Sequence, residues 1–238
     1  MSRFLIRGVV PYVPGEQPAG GYLKLNTNES PFPPSPRSVS MAADAALEGQ
    51  LYPDPECKML CRAIADDIGA GVKENQVLCA NGSDAILNYA FAAFCGEGKG
   101  AVYADLTYGF YSTLAGFYGV PSRVMPLRDD YTVNADDYID CGGVIFLPNP
   151  NAPTGLALDL SDIERIVSGN DNIVIIDEAY VDFGTESAVS LIDKYDNLLV
   201  TRTFSKSRSL AGARLGFAVG NEELIGDLRA VKYSIDPY

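Results

Sequence analysis

Histidine and tryptophan are both absent from this chain of 238 residues. Without an imidazole, Ser-His and Cys-His nucleophile pairs are excluded, and so are zinc sites that are built on histidine. Basic residues are also scarce: 18 lysines and arginines stand against 31 aspartates and glutamates, for a formal net charge of −13. Because nucleic-acid binding needs a basic face, we expect no nucleic-acid partner.

Long apolar runs and a disulfide pattern are missing as well. The most apolar stretch, AILNYAFAAFC, is too short to span a bilayer, and Arg7 and Pro11 interrupt the opening MSRFLIRGVVPYVPG too early for a secretory signal. The cysteines number five, and Cys57 and Cys61, one helical turn apart, have no further ligand cluster beside them. The sequence therefore predicts a soluble cytoplasmic protein with reduced thiols, no metal and no membrane partner.

Proline is frequent only near the start of the chain, and the rest alternates between apolar and amphipathic segments. We expect residues 1–30 to form an N-terminal arm over a surface, with a short strand in YLKLNTNES, and residues 31–238 to form one large domain. The predicted buried strands are QVLCANGSD, GAVYAD, GVIFLPN, NIVIIDEAY and NLLVTRTFSK.

Amphipathic helices are predicted between these strands. PECKMLCRAIADDIG has Leu60, Ala63, Ile64 and Ile68 on one face and ends at a glycine, and SDAILNYAFAAFCG has a similar apolar face. SDIERIV is predicted to begin with a capping box, in which Ser161 pairs with Glu164. The alternation indicates an α/β fold, a parallel sheet with helices on both faces.

Ligands of such sheets collect where strands end and helices begin, and unusual polar residues stand at these points. Ser83 and Asp84 in NGSD either cap a helix or leave its N–H groups free for an anion. Asp177 follows four apolar residues; it either caps locally or is a desolvated carboxylate that needs a cation. Lys206 in TFSKS either extends to water or does chemistry with a lowered pKa.

Together these strand ends offer an anion cradle, a carboxylate for a protonated ring nitrogen, an amine that can bond to an aldehyde, and the cation Arg214. Pyridoxal 5′-phosphate requires these groups. The chain also carries, in order, motifs that resemble those of the histidinol-phosphate aminotransferases, within the fold-type I aminotransferases: LNTNESP, LYPDPE, NGSDA, LTYGFYS, NAPTG, DEAY and TFSKSRSLAGARLGF. The resemblance runs from about PYVPG to the last residue.

The resemblance implies a fold and an activity. The fold is the large domain of a fold-type I transferase, a mostly parallel mixed sheet in a three-layer αβα sandwich. The activity is transfer of an amino group between L-histidinol phosphate and 2-oxoglutarate in histidine biosynthesis. The alternatives are an aromatic aminotransferase, a threonine-phosphate decarboxylase, or a cofactor-binding module without turnover.

The resemblance also implies a role for each matching position. Lys206 would bind the cofactor covalently and move the proton at the substrate, and Asp177 would pair with the ring nitrogen. Tyr180 would hydrogen-bond the phenolic oxygen, and Tyr108 would stack on the ring. The phosphate would be held by the backbone N–H groups of Ser83 and Asp84 and by Thr203, Ser205 and Arg214.

Four tyrosine and asparagine positions are implied to act at the substrate side or across a subunit boundary. Tyr52, in LYPDP, would reach the phosphate of the neighbouring subunit's cofactor, which implies a homodimer that acts on small molecules. Tyr12, Asn28 and Tyr238 would lie on the substrate side.

The chain departs from the family pattern in two places. The family has asparagine directly before Pro-Thr-Gly, where this chain has Ala152. Either Asn151 contacts the phenolic oxygen through a shifted turn, or Tyr180 acts alone. The family also continues into a C-terminal small domain, whose arginine binds the substrate carboxylate. No residue here matches that arginine, so the chain as given is expected to hold the cofactor and to transaminate poorly.

Overall fold

The apolar runs form the centre of one sheet in the computed structural model, which describes residues 11–17, 19–96 and 98–237. Within these residues the strands are β1 Val77–Asn81, β2 Ala101–Ala104, β3 Ser122–Met125, β4 Val144–Pro148, β5 Val174–Asp177, β6 Leu198–Thr203 and β7 Leu215–Gly220. They lie in the order β1-β7-β6-β5-β4-β2-β3. Strand β7 pairs antiparallel with β1 and β6, and the other pairings are parallel. The sheet is therefore mixed and mostly parallel, as predicted.

Helices cover both faces of this sheet. In the described part of the chain they are α1 Pro36–Ala46, α2 Lys58–Ile68, α3 Ser83–Phe94, α4 Phe110–Tyr118, α5 Leu160–Ser168 and α6 Glu222–Ile235. Helices α2 and α5 pack into one apolar core, and α3, α4 and α6 pack into a second. Successive strand residues point to alternate cores, as Ile176 and Ile175 do in β5. The three-layer αβα prediction is confirmed. None of these helices is long and apolar enough to cross a bilayer.

Helix α2 ends where the sequence predicts, but its buried face is rotated. The helix stops before Gly69, whose φ of 68° suits a residue without a side chain. Its buried residues are Cys61, Ile64 and Ala65, whereas Ala63 is exposed. The buried positions follow the spacing of one helix face, so the assignment of Ala63 to that face is wrong.

Two further local predictions are wrong. The N-cap of α5 is Asp159, so Ser161 lies inside the first turn and forms no capping box. Glu164 instead accepts a hydrogen bond from the Tyr195 hydroxyl at 3.0 Å. The strand expected in YLKLNTNES is also absent, because residues 22–30 lie in bends, turns and irregular backbone. Among the described residues, no strand of the sheet pairs with this segment.

Candidate active site

The last residue of β5, Asp177, is a buried carboxylate, 4% exposed. Its Oδ2 accepts a hydrogen bond from the Tyr111 hydroxyl at 3.0 Å, and its Oδ1 accepts one from the Ala179 N–H at 3.2 Å. Among the described residues no lysine or arginine forms an ion pair with it. Burial raises the pKa of Asp177 to about 6, against the lowering effect of the Tyr111 hydrogen bond. At neutral pH the carboxyl group is mostly ionised, so a cationic group of a ligand would neutralise its charge.

A candidate anion site lies at the N-terminus of α3. The N-cap of this helix is Gly82, which has no side chain that could accept from the first N–H groups. The Asp84 carboxylate accepts a hydrogen bond from the Tyr108 hydroxyl at 2.9 Å and lies 3.4 Å from the half-exposed guanidinium of Arg214. The Tyr108 ring packs edge to face against the ring of Tyr111, with centroids 5.7 Å apart. Because Tyr111 donates to Asp177, this contact connects the N-terminus of α3 with the carboxylate at the end of β5. Free helix N–H groups beside an arginine suit a phosphate.

Strand β7 approaches the first turn of α3 so closely that only glycine fits. A Cβ on Gly216 would lie 2.3 Å from the Ser83 nitrogen and 2.5 Å from the Gly82 carbonyl carbon. A Cβ on Gly82, whose φ is +79°, would lie 2.7 Å from a guanidinium nitrogen of Arg214. Glycine at these two positions therefore lets β7 and the Arg214 guanidinium lie directly against the first turn of α3.

Lys206 lies three residues beyond β6, in contact with the segment at Thr27 and Asn28. Its Nζ donates a hydrogen bond to the Thr27 carbonyl at 2.7 Å and stands 5.6 Å from the centre of the Tyr180 ring. The Asn28 side chain donates to the Tyr180 hydroxyl at 2.9 Å. Thr27 and Asn28 both have positive φ, 62° and 51°, which turns the arm sharply over the lysine. The structure thus brings Lys206, Tyr180 and Asn28 together.

Two hydroxyls stand between β6 and this lysine. The Thr203 and Ser205 hydroxyl oxygens lie 3.0 Å apart, and the Ser205 N–H donates to the Thr203 hydroxyl at 3.1 Å. Thr203 also pairs with Gly216 in the β6–β7 ladder. That pairing sets Thr203 beside Gly216, the residue of β7 that packs against the first turn of α3.

Asn151 is buried, and its side-chain amide is engaged within the protein. Its Nδ2 donates to the Leu106 carbonyl at 3.0 Å and to the Thr154 hydroxyl at 3.1 Å, and its Oδ1 accepts from the Thr107 hydroxyl at 3.1 Å. Both amide donors are used, so the arrangement favours the alternative in which Tyr180 acts without Asn151.

The remaining candidates are placed less centrally. The Tyr12 ring lies edge-on to the rings of Tyr108 and Phe110, with centroids 6.3 Å and 6.1 Å away. Tyr52 lies between α1 and α2 and is 80% exposed. Tyr238 lies outside the described residues.

Sequence reasoning does not single out Tyr111, the side chain that contacts Asp177. The residue belongs to the LTYGFYS motif, three positions after Tyr108, and it is fully buried on the inner face of α4. A tyrosine on the apolar face of a helix is most often core, so only its partner reveals a function. The signal that could have found it is a buried hydroxyl, which needs a hydrogen-bond acceptor.

Comparisons with known proteins place this chain in a family. The family model of aminotransferase class I and II matches residues 21–235. Histidinol-phosphate aminotransferase 2 of Dechloromonas aromatica is 50% identical over an alignment of 249 positions, which covers 100% of this chain and 69% of that protein. The chain belongs to the histidinol-phosphate aminotransferases. A second member, from Acetobacter pasteurianus, is 51% identical over 245 positions and is covered to 68% by this aminotransferase chain.

A solved structure shows the same fold. Histidinol-phosphate aminotransferase from Sinorhizobium meliloti, solved in complex with pyridoxal-5′-phosphate, has a TM-score of 0.76 at 24% identity. The match covers 88% of this aminotransferase chain and 63% of the S. meliloti chain. The architecture is that of the fold-type I aminotransferases. The chain spans about two thirds of the length of the relatives that it matches.

Proposed function

We propose that the whole protein is a cytoplasmic, pyridoxal 5′-phosphate-dependent histidinol-phosphate transaminase of histidine biosynthesis. It would move an amino group between L-histidinol phosphate and 2-oxoglutarate. The observation that carries this proposal is the buried Asp177 carboxylate, which has no cationic partner among the described residues, in a chain 50% identical to a histidinol-phosphate aminotransferase. When bound, the cofactor supplies an electron sink for the charge left at the substrate's α-carbon.

The residues present fit this cofactor at both ends. Asp177, mostly ionised at neutral pH with a pKa of about 6, supplies the negative charge that a protonated ring nitrogen needs. At the other end, the uncapped N–H groups of α3 and the guanidinium of Arg214 suit a phosphate dianion. We assign the phosphate contacts to the backbone of Ser83 and Asp84 and to the side chains of Thr203, Ser205 and Arg214.

Lys206 is assigned the covalent bond to the cofactor and the proton transfer. In the structure its Nζ donates to the Thr27 carbonyl at 2.7 Å, so the free ammonium has an acceptor when it is not bonded to a ligand. Once deprotonated, the same amine would take a proton from the substrate's α-carbon. Tyr180, within 5.6 Å of Nζ, is assigned to hydrogen-bond the phenolic oxygen, and Tyr108 to stack on the ring.

We assign Tyr12 and Asn28 to the substrate side. Asn28 already reaches the hydroxyl of Tyr180 at 2.9 Å, and Tyr12 covers the ring of Tyr108. The arm that carries both residues would exclude water above Lys206. In this arrangement the substrate would enter between the arm and the carboxyl ends of the parallel strands.

A homodimer is part of the proposal. Helix α1 buries none of its residues, and its Val39 and Met41 side chains are more than half exposed, at 55% and 60%. Apolar surface of this kind is usually covered by a partner. Tyr52, 80% exposed just after this helix, would then reach the site of the second subunit.

The covalent assignment is tested by reductive trapping. The chain is loaded with pyridoxal 5′-phosphate, reduced with borohydride and mapped by peptide mass spectrometry. The label should fall on Lys206 and should vanish in Lys206→Ala. Lys194→Ala, which removes a lysine with a 63% exposed side chain, is the matched control and should leave the label in place. A label on another lysine contradicts the assignment.

The substrate is tested in a version that spans the full length of the relatives. Histidinol phosphate, phenylalanine and threonine phosphate are assayed in parallel, and histidinol phosphate should give the highest kcat/KM. Faster turnover of phenylalanine would favour an aromatic aminotransferase, and carbon dioxide released from threonine phosphate would favour a decarboxylase. Retention of cofactor with no turnover of any of the three would favour a binding module.

The shared site is tested by mixing two inactive subunits of the full-length version, Lys206→Ala and Tyr52→Phe. A heterodimer contains one intact site, so some activity should return after subunit exchange. Exchange proven by a mass tag, with no return of activity, would contradict a role for Tyr52 across the boundary.

A further inference from the structure

Tyr111 is a fully buried tyrosine whose hydroxyl contacts the candidate catalytic carboxylate. Its ring lies in an aromatic layer, with centroids 5.6 Å from Phe146, 5.7 Å from Tyr108 and 6.1 Å from Tyr103. A phenylalanine would fill the same space. Burying the tyrosine hydroxyl instead is unfavourable unless that hydroxyl forms a hydrogen bond. The partner is Oδ2 of Asp177, at 3.0 Å.

Few of the groups around Asp177 favour its ionised form. Asp84, at the start of α3, is a like charge and raises the pKa of Asp177, as burial does. The Tyr111 hydrogen bond is the largest effect that lowers this pKa, ahead of the Ala179 N–H. The ionised state therefore depends on Tyr111 more than on any other group that favours it.

The same contact fixes the orientation of the carboxylate. Oδ1 is held by the Ala179 N–H and Oδ2 by the Tyr111 hydroxyl, so the plane of the group is set from two sides. Because a carboxylate can accept about four hydrogen bonds, capacity remains for a ligand N–H. Both donors are neutral, so the negative charge is not cancelled before a ligand arrives.

We propose that Tyr111 is a positioning residue that holds Asp177 oriented and ionised for the cationic ring nitrogen of the cofactor. The role toward the cofactor rests on the proposed function, whereas the hydroxyl–carboxylate contact does not. Tyr111 touches neither reacting atoms nor cofactor in this scheme; it acts through Asp177.

The first experiment uses the cofactor-free protein. Aspartate is labelled with ¹³C at the side-chain carboxyl, the Asp177 resonance is assigned by its loss in Asp177→Asn, and its titration is followed by NMR. In Tyr111→Phe the midpoint should move upward by about one pH unit, since one hydrogen bond to a charged group is removed. Tyr103→Phe removes a hydroxyl from the same aromatic layer and should leave the midpoint in place. An unmoved midpoint in Tyr111→Phe, or an equal movement in both variants, overturns the inference.

A second measurement keeps the test decisive if Tyr111→Phe does not fold. Labelling with 3-fluorotyrosine makes the phenol a stronger donor and changes its size little. The Asp177 midpoint should then move downward, opposite to the substitution. No downward movement overturns the inference.

The loaded protein separates this inference from the proposed function. In Tyr111→Phe the pH dependence of the cofactor's visible absorbance should shift upward with the carboxyl midpoint. In the full-length version kcat at pH 7 should fall about tenfold and recover partly at higher pH, with less change in KM. If the midpoint moves but no cofactor is trapped on Lys206, the proposed function falls and takes the cofactor role of Tyr111 with it. If cofactor is trapped and the midpoint does not move, the function stands and this inference falls.

Discussion

Two neighbouring carboxylates at the end of β5 are buried equally well but have different partners. Glu178, 2% exposed, accepts hydrogen bonds from Arg202 Nε at 2.9 Å, from the Ser187 hydroxyl at 2.8 Å and from the Ala188 N–H at 2.6 Å. Asp177, 4% exposed, accepts from two neutral donors and has no cation among the described residues.

The difference separates a structural charge from one kept for a ligand. Glu178 joins β5 to Arg202 of β6 and to the turn at Ala188–Leu191, and its charge is balanced. A buried charge without a counterion lowers the stability of the fold. Such a charge is typical of a binding site, where a ligand of opposite charge neutralises it. Opposite phenotypes are therefore expected for the two residues, although they are adjacent in sequence.

The largest expected effect is on catalysis by Asp177→Asn in the full-length version. The ion pair with the ring nitrogen matters more in the transition state than at rest, so kcat should fall on the order of a thousandfold. The cofactor should stay bound through Lys206 and the phosphate contacts. Glu178→Gln is the matched control, with near-normal kcat per loaded site. Near-normal turnover in Asp177→Asn, or loss of cofactor in proportion to activity, would remove the distinction between the two carboxylates.

The reverse effect is expected on stability. Glu178→Gln leaves the Arg202 guanidinium, whose side chain is 18% exposed, without its counterion, and should lower the free energy of unfolding by about 3–5 kcal/mol. Asp162→Asn breaks an exposed pair with Arg165 and should cost less than about 1 kcal/mol. Urea unfolding of both variants measures the difference. Equal losses would mean that the Glu178 network does not stabilise the fold.

The central strands of the fold were predictable because their burial on both faces produces uninterrupted apolar runs in the sequence. Runs such as VIFLP and VIID are apolar without interruption, which is typical of strands covered on both faces. Strand β7 was not predicted, because glycines interrupt LGFAVG and its antiparallel place between β1 and β6 depends on distant partners. Strand β3 lies at the sheet edge with three of its four residues exposed, so its pattern is weak.

The residues of the candidate site were predictable where a polar side chain directly follows a buried strand. Lys206 and Asp177 could be found because each follows an apolar run, whereas the Tyr111–Asp177 contact joins residues 66 positions apart. The Asn28–Tyr180 contact spans 152 positions. Such contacts are set by packing of whole elements, and local periodicity does not encode them. The hydrogen bonds of the Asn151 side-chain amide likewise depend on the direction of one side chain within a turn, which the local sequence does not fix.

A smaller effect should appear in the pH dependence of stability. The pKa of Asp177 is raised from 3.8 to about 6 in the folded, cofactor-free protein. Between these values the native state keeps a proton that the unfolded chain has released, so stability falls as the pH rises from about 4 to about 6 and stays lower above that. The loss is about 3 kcal/mol for a shift of about two units.

Asp177→Asn removes this titration, so the variant should gain stability relative to the parent as the pH rises through that window. Chemical unfolding of both cofactor-free proteins at pH 4 and pH 8 provides the comparison. A difference between the two proteins that is the same at both pH values would mean that Asp177 is not buried as an uncompensated charge.

The smallest effect concerns two buried tyrosine hydroxyls that differ as the two carboxylates do. The Tyr111 hydroxyl has the Asp177 carboxylate as its acceptor, whereas the Tyr138 hydroxyl is buried and has no hydrogen-bond partner among the described residues. Tyr138→Phe removes an unsatisfied polar group and keeps the ring, so the free energy of unfolding should rise by up to about 1 kcal/mol. Tyr111→Phe at pH 8 should instead lower it, because the ionised carboxylate loses a donor. If Tyr138→Phe is destabilising, its hydroxyl is satisfied by buried water, and the contrast between partnered and unpartnered groups holds for the carboxylates alone.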